Sequence, residues 1–203
     1  MKKKTEAKRQ TILKVAAQVF QEFGFEGTRM SEICARLGGS KATLYNYFPS
    51  KDELFFEVLY ASAESEVQAV EHTLDHASDD IGASIRHFGE RFLTFLYSPK
   101  IRAERHLAIS QSGRTNLGRI VYERGVMRTQ KLVRDFLESA MKRGKLKKAD
   151  PSVAARHLLS LIESELLASF LFQQLGNVSE DDIKAMTERG VDVFMAAYAI
   201  KTA

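Results

Sequence analysis

Apolar residues recur along the chain with the spacing of α-helices. In the first segment Ile12, Val15, Ala16, Val19, Phe20 and Phe23 fall three and four residues apart, which places them on one face of a helix. Alternating runs bounded by Asn-Gly or Asp-Gly, the signal of β-hairpins, are absent from the sequence. The pattern predicts an all-α protein.

Prolines and capping residues mark where the helices begin. Ser98-Pro99 and Asp150-Pro151 each place a capping side chain before a proline, whose missing N–H costs nothing in a first helical turn. Ser50 and Glu53 have the spacing of a capping box. Besides the first helix, the pattern predicts eight more near residues 28–37, 40–47, 51–77, 80–97, 99–112, 114–143, 152–175 and 179–200. Nine helices with short connections make a bundle.

Charge is distributed unevenly along the 203 residues. The whole chain has 30 Lys and Arg against 26 Asp and Glu, for a net charge of +4. Residues 1–51 carry ten basic and four acidic residues, whereas the remainder is slightly acidic. A basic segment on a near-neutral body suggests contact with a polyanion.

Several classes of protein are excluded by simple features. A single cysteine, Cys34, cannot build a disulfide framework and favours a reducing cytoplasm. The basic start Met1-Lys2-Lys3-Lys4 is followed by polar residues, where a signal peptide would need an apolar stretch. Glu163 and Glu165 interrupt the most apolar region, so that region is too charged to span a bilayer. We expect a cytoplasmic protein with no membrane partner.

Two short helices, near residues 28–37 and 40–47, are separated by almost nothing. Gly38-Gly39 supplies a tight turn, and Ser40 can cap the second helix. This arrangement is a helix-turn-helix, which lays its second helix in a DNA major groove. Leu44 and Phe48, four residues apart, would face the first helix of the chain. The alternative is a pair of core-packing helices in an ordinary bundle.

The opposite face of the second helix offers the groups that a DNA reader needs. Ala42 permits close approach and can touch a thymine methyl, whereas the Asn46 amide matches adenine or reaches the backbone. Hydroxyls and ammonium groups can bind phosphates, aided by the positive ends of the helices. The residues with these groups are Thr28, Ser40, Lys41, Thr43, Tyr45, Tyr47 and Lys51.

This segment resembles the TetR family of transcriptional regulators over roughly residues 8–58. The resemblance lies in Ile12-Leu13-Lys14-Val15-Ala16-Ala17, Phe20, Gly24-Phe25, Gly27-Thr28, Ile33-Cys34 and the run from Ser40 to Leu54. It implies a DNA-binding domain over 8–58, a ligand-binding and dimerisation domain over 59–203, and a homodimer. It also implies base or phosphate contacts from positions Lys41, Ala42, Thr43, Tyr45, Asn46 and Tyr47, a phosphate at Lys51, and Ser31 as a further candidate.

A homodimer requires a self-complementary face. The helix near 152–175 is apolar on more than one side, and the last helix has a second apolar stripe. We therefore predict an interface formed by Leu158, Leu161, Ile162, Leu166, Phe170, Val191, Phe194, Met195 and Tyr198. The alternative is that these side chains form only the core of the single chain. A two-fold dimer predicts a pseudo-palindromic operator.

A ligand pocket is predicted beside the helix near 80–97. Phe88, Phe92 and Phe95 offer aromatic walls, and His106, Ser110 and Glu163 offer polar groups. The expected effector is a small apolar or amphipathic molecule, although a packed core has the same composition.

The sequence thus predicts a ligand-responsive, dimeric transcriptional repressor. The alternative is a constitutive or architectural DNA-binding protein without an effector. We expect no catalytic residues, cofactor or metal, because no nucleophile–base set or phosphate loop is present. His72 and His76 have a metal-binding spacing, but a solvated helix face explains them equally well.

Overall fold

A computed structural model describes residues 5–200 of the chain, and the predicted all-α architecture is confirmed there. The basic start at residues 1–4 lies outside this range. The helices are α1 (Glu6–Gly27), α2 (Met30–Leu37), α3 (Lys41–Tyr47), α4 (Lys51–Glu71), α5 (Ile81–Leu96), α6 (Pro99–Gln111), α7 (Leu117–Val121), α8 (Met127–Lys142), α9 (Pro151–Glu163), α10 (Leu167–Leu171) and α11 (Glu180–Tyr198). A π-helical turn, Tyr122–Val126, joins α7 to α8.

The chain folds as two compact units. The first unit comprises the residues up to Glu64 together with Ala108–Tyr122. The second comprises Ser65–Leu107 and the residues from Glu123 onward. Helices α4 and α6 contribute residues to both units, and the predicted domain boundary at residues 58 and 59 falls within α4.

The core of the first unit is built on one face of α1. Ile12, Ala16 and Val19 are fully buried, as their spacing predicts. Phe23 was expected to extend this stripe, but its side chain is 44% exposed. The backbone leaves the helical conformation at Gly24 (φ 67°), and Phe25 is buried in its place. The Phe25 ring lies 4.9 Å from that of Phe55 on α4.

The core of the second unit lies among α5, α8, α9 and α11, which pack against one another. Its largest fully buried side chains are Phe88, Phe136, Phe170 and Phe194. These four rings come from four different helices or turns of this unit, so they hold it together as a single hydrophobic core.

The helix predicted over 51–77 ends at Glu71. The hydroxyl of Thr73 donates to the carbonyl of Val70 (2.6 Å), and the His72 ring lies 2.6 Å from the carbonyl of Gln68. Side chains that bond the last helical carbonyls compete with the continuation of the helix, and the N–H of Thr73 already bonds the carbonyl of Val70 three residues back instead of four. The prediction was wrong here because helical spacing alone does not show this competition.

Two other predicted helices are interrupted. The helix predicted over 152–175 divides into α9 and α10, because the Ser164 hydroxyl bonds the carbonyl of Leu161 (2.7 Å) and the chain turns at residues 164–166. The helix predicted over 114–143 begins at Leu117 and contains the π-helical turn before α8. A π-helical turn is rare in proteins and is frequent at functional sites.

Alanine at Gly190 is expected to destabilise the second unit by roughly 1–3 kcal/mol. Gly190 lies where α11 crosses α9, and a Cβ atom there would stand 2.8 Å from the carbonyl oxygen of Leu161. Backbone must move to accept it. Gly125→Ala is the matched control, because a Cβ at Gly125 meets nothing within 4 Å. Urea unfolding measures both variants, and equal stabilities would contradict the close crossing.

Candidate functional site

The turn between α2 and α3 is held by three backbone contacts. Gly38 adopts the left-handed conformation (φ 60°), which glycine reaches without steric cost, and its N–H donates to the carbonyl of Ala35. The Cys34 thiol donates to the carbonyl of Gly39 (3.0 Å). The Ser40 hydroxyl accepts from the N–H of Thr43 (3.2 Å) and caps α3. The turn therefore presents α3 in one orientation.

Helix α3 has two sharply different faces. Leu44 and the adjoining Phe48 are 2% and 3% exposed and pack into the core of the first unit. The opposite face is exposed and carries Lys41, Ala42, Thr43, Tyr45 and Asn46. Nothing in the core requires amide and phenol groups on this face. Ser31 on α2 is also exposed.

Thr28 does not lie on this surface, so its assignment as a phosphate contact was wrong. Its side chain is 2% exposed, and its hydroxyl donates to the carbonyl of Gly24 (2.6 Å). The residue before α2 is Arg29, which provides no side-chain cap. A buried hydroxyl that satisfies the broken end of α1 is unavailable to a phosphate.

Tyr47 and Lys51 are already engaged inside the first unit. The Tyr47 hydroxyl accepts from the backbone N–H of Thr5 (2.8 Å) and so ties the start of α1 to α3. The Lys51 ammonium donates to the carbonyl of Phe25 (2.8 Å) and lies 4.5 Å from the centre of its ring. Both residues position α3, whether or not they also meet DNA.

A polar cluster lies in the second unit among aromatic side chains. One carboxylate oxygen of Glu163 accepts from the hydroxyl of Tyr97 (2.6 Å) and from the guanidinium of Arg105 (2.6 Å). Arg105 lies 4.1 Å from the centre of the Phe170 ring, and the His106 ring stacks on Phe170 at 4.2 Å. The Arg105 and Glu163 side chains are only 19% and 18% exposed. We call these five residues the Glu163 cluster.

Burial and charge shift two pKa values in the Glu163 cluster. Burial, and then the neighbouring Glu163 carboxylate, raise the pKa of Tyr97, so its hydroxyl stays a donor at any physiological pH. Burial, followed by the charges of Arg102 and Arg105, lowers the pKa of His106. The imidazole is therefore held in its neutral form next to Arg105.

The pocket prediction identified only part of this cluster. Glu163 and His106 belong to it, but Tyr97 and Arg105 were missed. The only hint in the sequence was that Arg105 directly precedes His106, and such a pair also fits a solvated helix face. Phe88 is fully buried and stacks on Phe92, so it is a core residue. Phe95 and Phe92 are partly buried against the core, and Ser110 belongs to the first unit.

The predicted dimer residues are mostly core residues of the single chain. Leu158, Ile162, Leu166, Phe170, Val191 and Phe194 are at most 2% exposed without any partner, so these six were wrongly assigned. Leu161, Met195 and Tyr198 are partly buried. The exposed apolar side chains of this region are instead Leu167 and Leu171 on α10, Phe172 directly after it, and Val193 on α11. Periodicity alone could not separate the face toward the chain's own core from the face toward a partner.

Glu104 on α6 is expected to make stability depend on pH. Burial raises the pKa of Glu104 to about 7, partly opposed by Lys100. Between pH 4.5 and 7 the folded chain keeps a proton that the unfolded chain releases, so stability falls as pH rises. Glu104→Gln should therefore stabilise the protein by roughly 1–3 kcal/mol at pH 8 and leave it unchanged near pH 4.

Urea unfolding across this pH range measures the effect of Glu104. Glu188→Gln, at an exposed position of α11, is the matched control and should change stability little at either pH. A Glu104→Gln variant with the wild-type pH dependence would show that the carboxyl is hydrated in solution.

Two family models match the chain. Residues 12–58 match the model described as bacterial regulatory proteins of the tetR family, and residues 83–200 match the C-terminal domain of AefR-like transcriptional repressors. The second match covers more than half of the chain. The chain belongs to the TetR family of transcriptional regulators. The expected family is thereby confirmed, with a helix-turn-helix in the matched N-terminal segment.

Individual relatives agree with this membership. The helix-turn-helix regulator RutR of Escherichia coli is 47% identical over 53 residues, which are 26% of this chain and only 25% of RutR. A TetR-family regulator from Mesorhizobium loti is similar in structure, with a TM-score of 0.79 and 25% identity over 97% of this chain and all of that one. The flavonoid-responsive regulator FrrA has a TM-score of 0.75 and 30% identity over 98% of this chain and all of its own.

The basic run of this TetR-family chain has a structural role. In the basic run at residues 142–148, Arg143 donates to the carbonyls of Ala77 and Ser78, and Lys147 donates to that of Ala197. Over residues 5–200 no helix has the length and apolar character needed to cross a membrane.

Proposed function

We propose that this TetR-family chain is a ligand-responsive repressor that binds a pseudo-palindromic operator as a homodimer. The observation that carries this proposal is the exposed polar face of α3, with Thr43, Tyr45 and Asn46 opposite the buried Leu44. A helix held by a tight glycine turn, with such a face outward, is suited to reading a major groove. The DNA-binding domain in this proposal is residues 8–58, and the protein works in the cytoplasm without catalysis or a cofactor.

The contacts that each side chain makes within the fold indicate its proposed role on the DNA surface. Asn46 and Ala42 are exposed on α3 and are proposed to reach base edges. Lys41, Tyr45 and Ser31 are proposed to bind phosphates, with Thr43 and Ser40 at the start of α3. Tyr47 and Lys51 act chiefly by positioning α3, because their polar atoms bond the start and the end of α1.

The dimer is proposed to form through the outer faces of α10 and α11. Phe172 is 78% exposed, Val193 56%, Leu171 48% and Leu167 39%. Large apolar side chains grouped on a surface commonly mark a protein interface. Partly buried Leu161, Met195 and Tyr198 are retained from the predicted interface, since their remaining exposed area can still be covered.

The effector is proposed to be a small aromatic molecule bound at the Glu163 cluster. One oxygen of the Glu163 carboxylate accepts both bonds from Tyr97 and Arg105, so among residues 5–200 the other oxygen is available to a ligand donor. Phe170 and His106 supply stacked aromatic rings within the cluster, and Phe92 and Phe95, which pack against the same core, are retained as predicted walls. The relative FrrA is described as flavonoid-responsive, which supports this class of effector.

Helix α6 is proposed to carry the signal from effector to DNA. It holds Arg105 in the second unit and ends at Gln111 in the first. The Gln111 amide donates to the Glu26 carboxylate (2.8 Å) near the end of α1, where the Lys51 ammonium at the start of α4 also binds backbone carbonyls. A ligand that favours one position of α6 would thus shift α4 and α3, by no more than its differential affinity for the two states.

The test is a fluorescence-anisotropy titration of the intergenic DNA beside the gene, at two salt concentrations, with scrambled duplex as competitor. We expect two protomers per palindrome, tight binding, and a preference over scrambled DNA of at least a thousandfold. A panel of hydroxylated aromatics should include one that releases the DNA. Specific binding that no member of the panel alters would favour a constitutive regulator, and equal binding to both duplexes would contradict sequence-specific recognition.

A further inference from the structure

An open cleft lies in the second unit, and none of the residues that line it belongs to the Glu163 cluster. The cleft has a volume of about 430 Å³ and is lined by the π-helical turn and the first half of α8 on one side and by the first turns of α9 on the other. Its charged lining consists of Glu123, Arg128, Lys131, Arg134 and Arg156. Four cationic side chains and one carboxylate thus face a single space.

Neighbouring carboxylates neutralise these cations only in part. Arg128 pairs with Glu71 through two hydrogen bonds (2.7 and 3.0 Å). Lys131 and Arg134 share a single carboxylate, Asp135, whose pKa their hydrogen bonds lower. The four cations of the lining thus meet three carboxylates, those of Glu71, Asp135 and Glu123, which leaves a local excess of one positive charge.

Arg156 is the cation of the lining that has no carboxylate partner among residues 5–200. It projects from α9 and is exposed. A guanidinium presents a planar pair of donors that matches a carboxylate or a phosphate. Arg134 on α8 and Arg156 on α9 both line the cleft, so guanidinium groups from two helices are available to one oxyanion.

The cleft also has an apolar component. Met127 lies in its lining and is 50% exposed. The flexible side chain of methionine adapts to varied ligand shapes. The adjoining Val126 is 43% exposed. An inorganic anion would use the arginines and leave this apolar surface in water.

We propose that this cleft binds a small amphipathic anion, with its carboxylate or phosphate group between Arg134 and Arg156 and its apolar body on Met127. The site is separate from both the α3 surface and the Glu163 cluster, so it does not depend on the function proposed above. The lining includes Glu123 of the π-helical turn, where the chain passes from the first unit to the second. A ligand bound in the cleft would therefore contact both this irregular turn and α9.

Isothermal titration calorimetry with octanoate tests this site on the full chain. We expect binding that weakens as salt is added, and that weakens roughly tenfold in the Arg134→Gln, Arg156→Gln double variant. Octyl phosphate should bind the same site, whereas 1-octanol and acetate, which each lack one half of the ligand, should bind at least tenfold more weakly. Lys184→Gln, which removes an exposed cation of α11, is the matched control and should leave octanoate binding unchanged.

Several results would overturn the proposal. Octanoate binding that is absent, that the double variant does not change, or that 1-octanol equals would show that the arginines do not recognise the anion. Displacement of octanoate by scrambled duplex DNA, lost in the double variant, would identify the patch as a nucleic-acid surface instead. Thermal unfolding of each variant confirms that it is folded, since all the substituted side chains are at least partly exposed.

Discussion

The double variant Tyr45→Phe, Asn46→Ala is expected to bind the operator one to two orders of magnitude more weakly than the wild type. Its stability should be unchanged. Both side chains are exposed on α3, and Tyr45 is 47% exposed. Removing one phosphate contact and one base contact should cost about 1–3 kcal/mol in total, because each side chain contributes through hydrogen bonds to DNA alone. Fluorescence anisotropy at two salt concentrations measures the loss.

The two substitutions have different expected signatures. Asn46→Ala should reduce the preference for operator over scrambled duplex, whereas Tyr45→Phe should weaken both alike. Lys41→Gln should reduce the salt slope by about one. Lys14→Gln, at an exposed position of α1, is the control for a general loss of charge. Unchanged affinity and salt slope in the double variant would contradict the proposed DNA surface.

Lys51 separates a positioning role from a phosphate contact. Its ammonium bonds the carbonyls of Phe25 and Glu26, so Lys51→Met should lower the stability of the first unit as well as the operator affinity. If the ammonium also binds a phosphate, the salt slope falls by about one. An unchanged slope with lower stability would assign Lys51 to positioning alone.

Alanine at Glu163 is expected to destabilise the protein by about 2–4 kcal/mol, a larger cost than that of a surface ion pair. The substitution removes the acceptor of Tyr97 and of Arg105, and it leaves a guanidinium against Phe170 without its counter-charge. Both members of the ion pair are less than a fifth exposed, so water can replace the lost bonds only in part. Urea unfolding measures the change.

Glu165 provides the matched control for Glu163. It lies two residues away and also pairs with an arginine, Arg189, but those side chains are 40% and 58% exposed. Glu165→Ala should therefore cost less than about 1 kcal/mol. The double variant Glu163→Leu, Arg105→Met should recover part of the stability lost by Glu163→Ala, because no charge is left unpaired and only the Tyr97 hydroxyl lacks its acceptor. A Glu163→Ala variant no less stable than Glu165→Ala would contradict the buried character of the cluster.

Local order was accessible from the sequence because its causes are local. The spacing of Ile12, Ala16 and Val19 predicts the buried face of α1, and the Gly38-Gly39 turn predicts where α2 gives way to α3. Helical periodicity, capping and the left-handed preference of glycine act within a few residues of the chain. The same reasoning places Leu44 and Phe48 inside and Asn46 outside. The family, in contrast, is indicated by the resemblance of residues 8–58 to TetR-family regulators.

Only the tertiary structure decided which surface each helix turns to a neighbour. Thr28 reads as a cap and is a buried donor to α1, and Leu158 and Phe194 read as dimer residues but lie in the core. In the Glu163 cluster, Glu163 bonds Arg105, which is 58 positions away in the sequence, and Tyr97, which is 66 positions away. Burial and long-range hydrogen bonds depend on how whole helices pack, and the periodicity of a single helix is the same whether its apolar face meets the chain's own core or a partner.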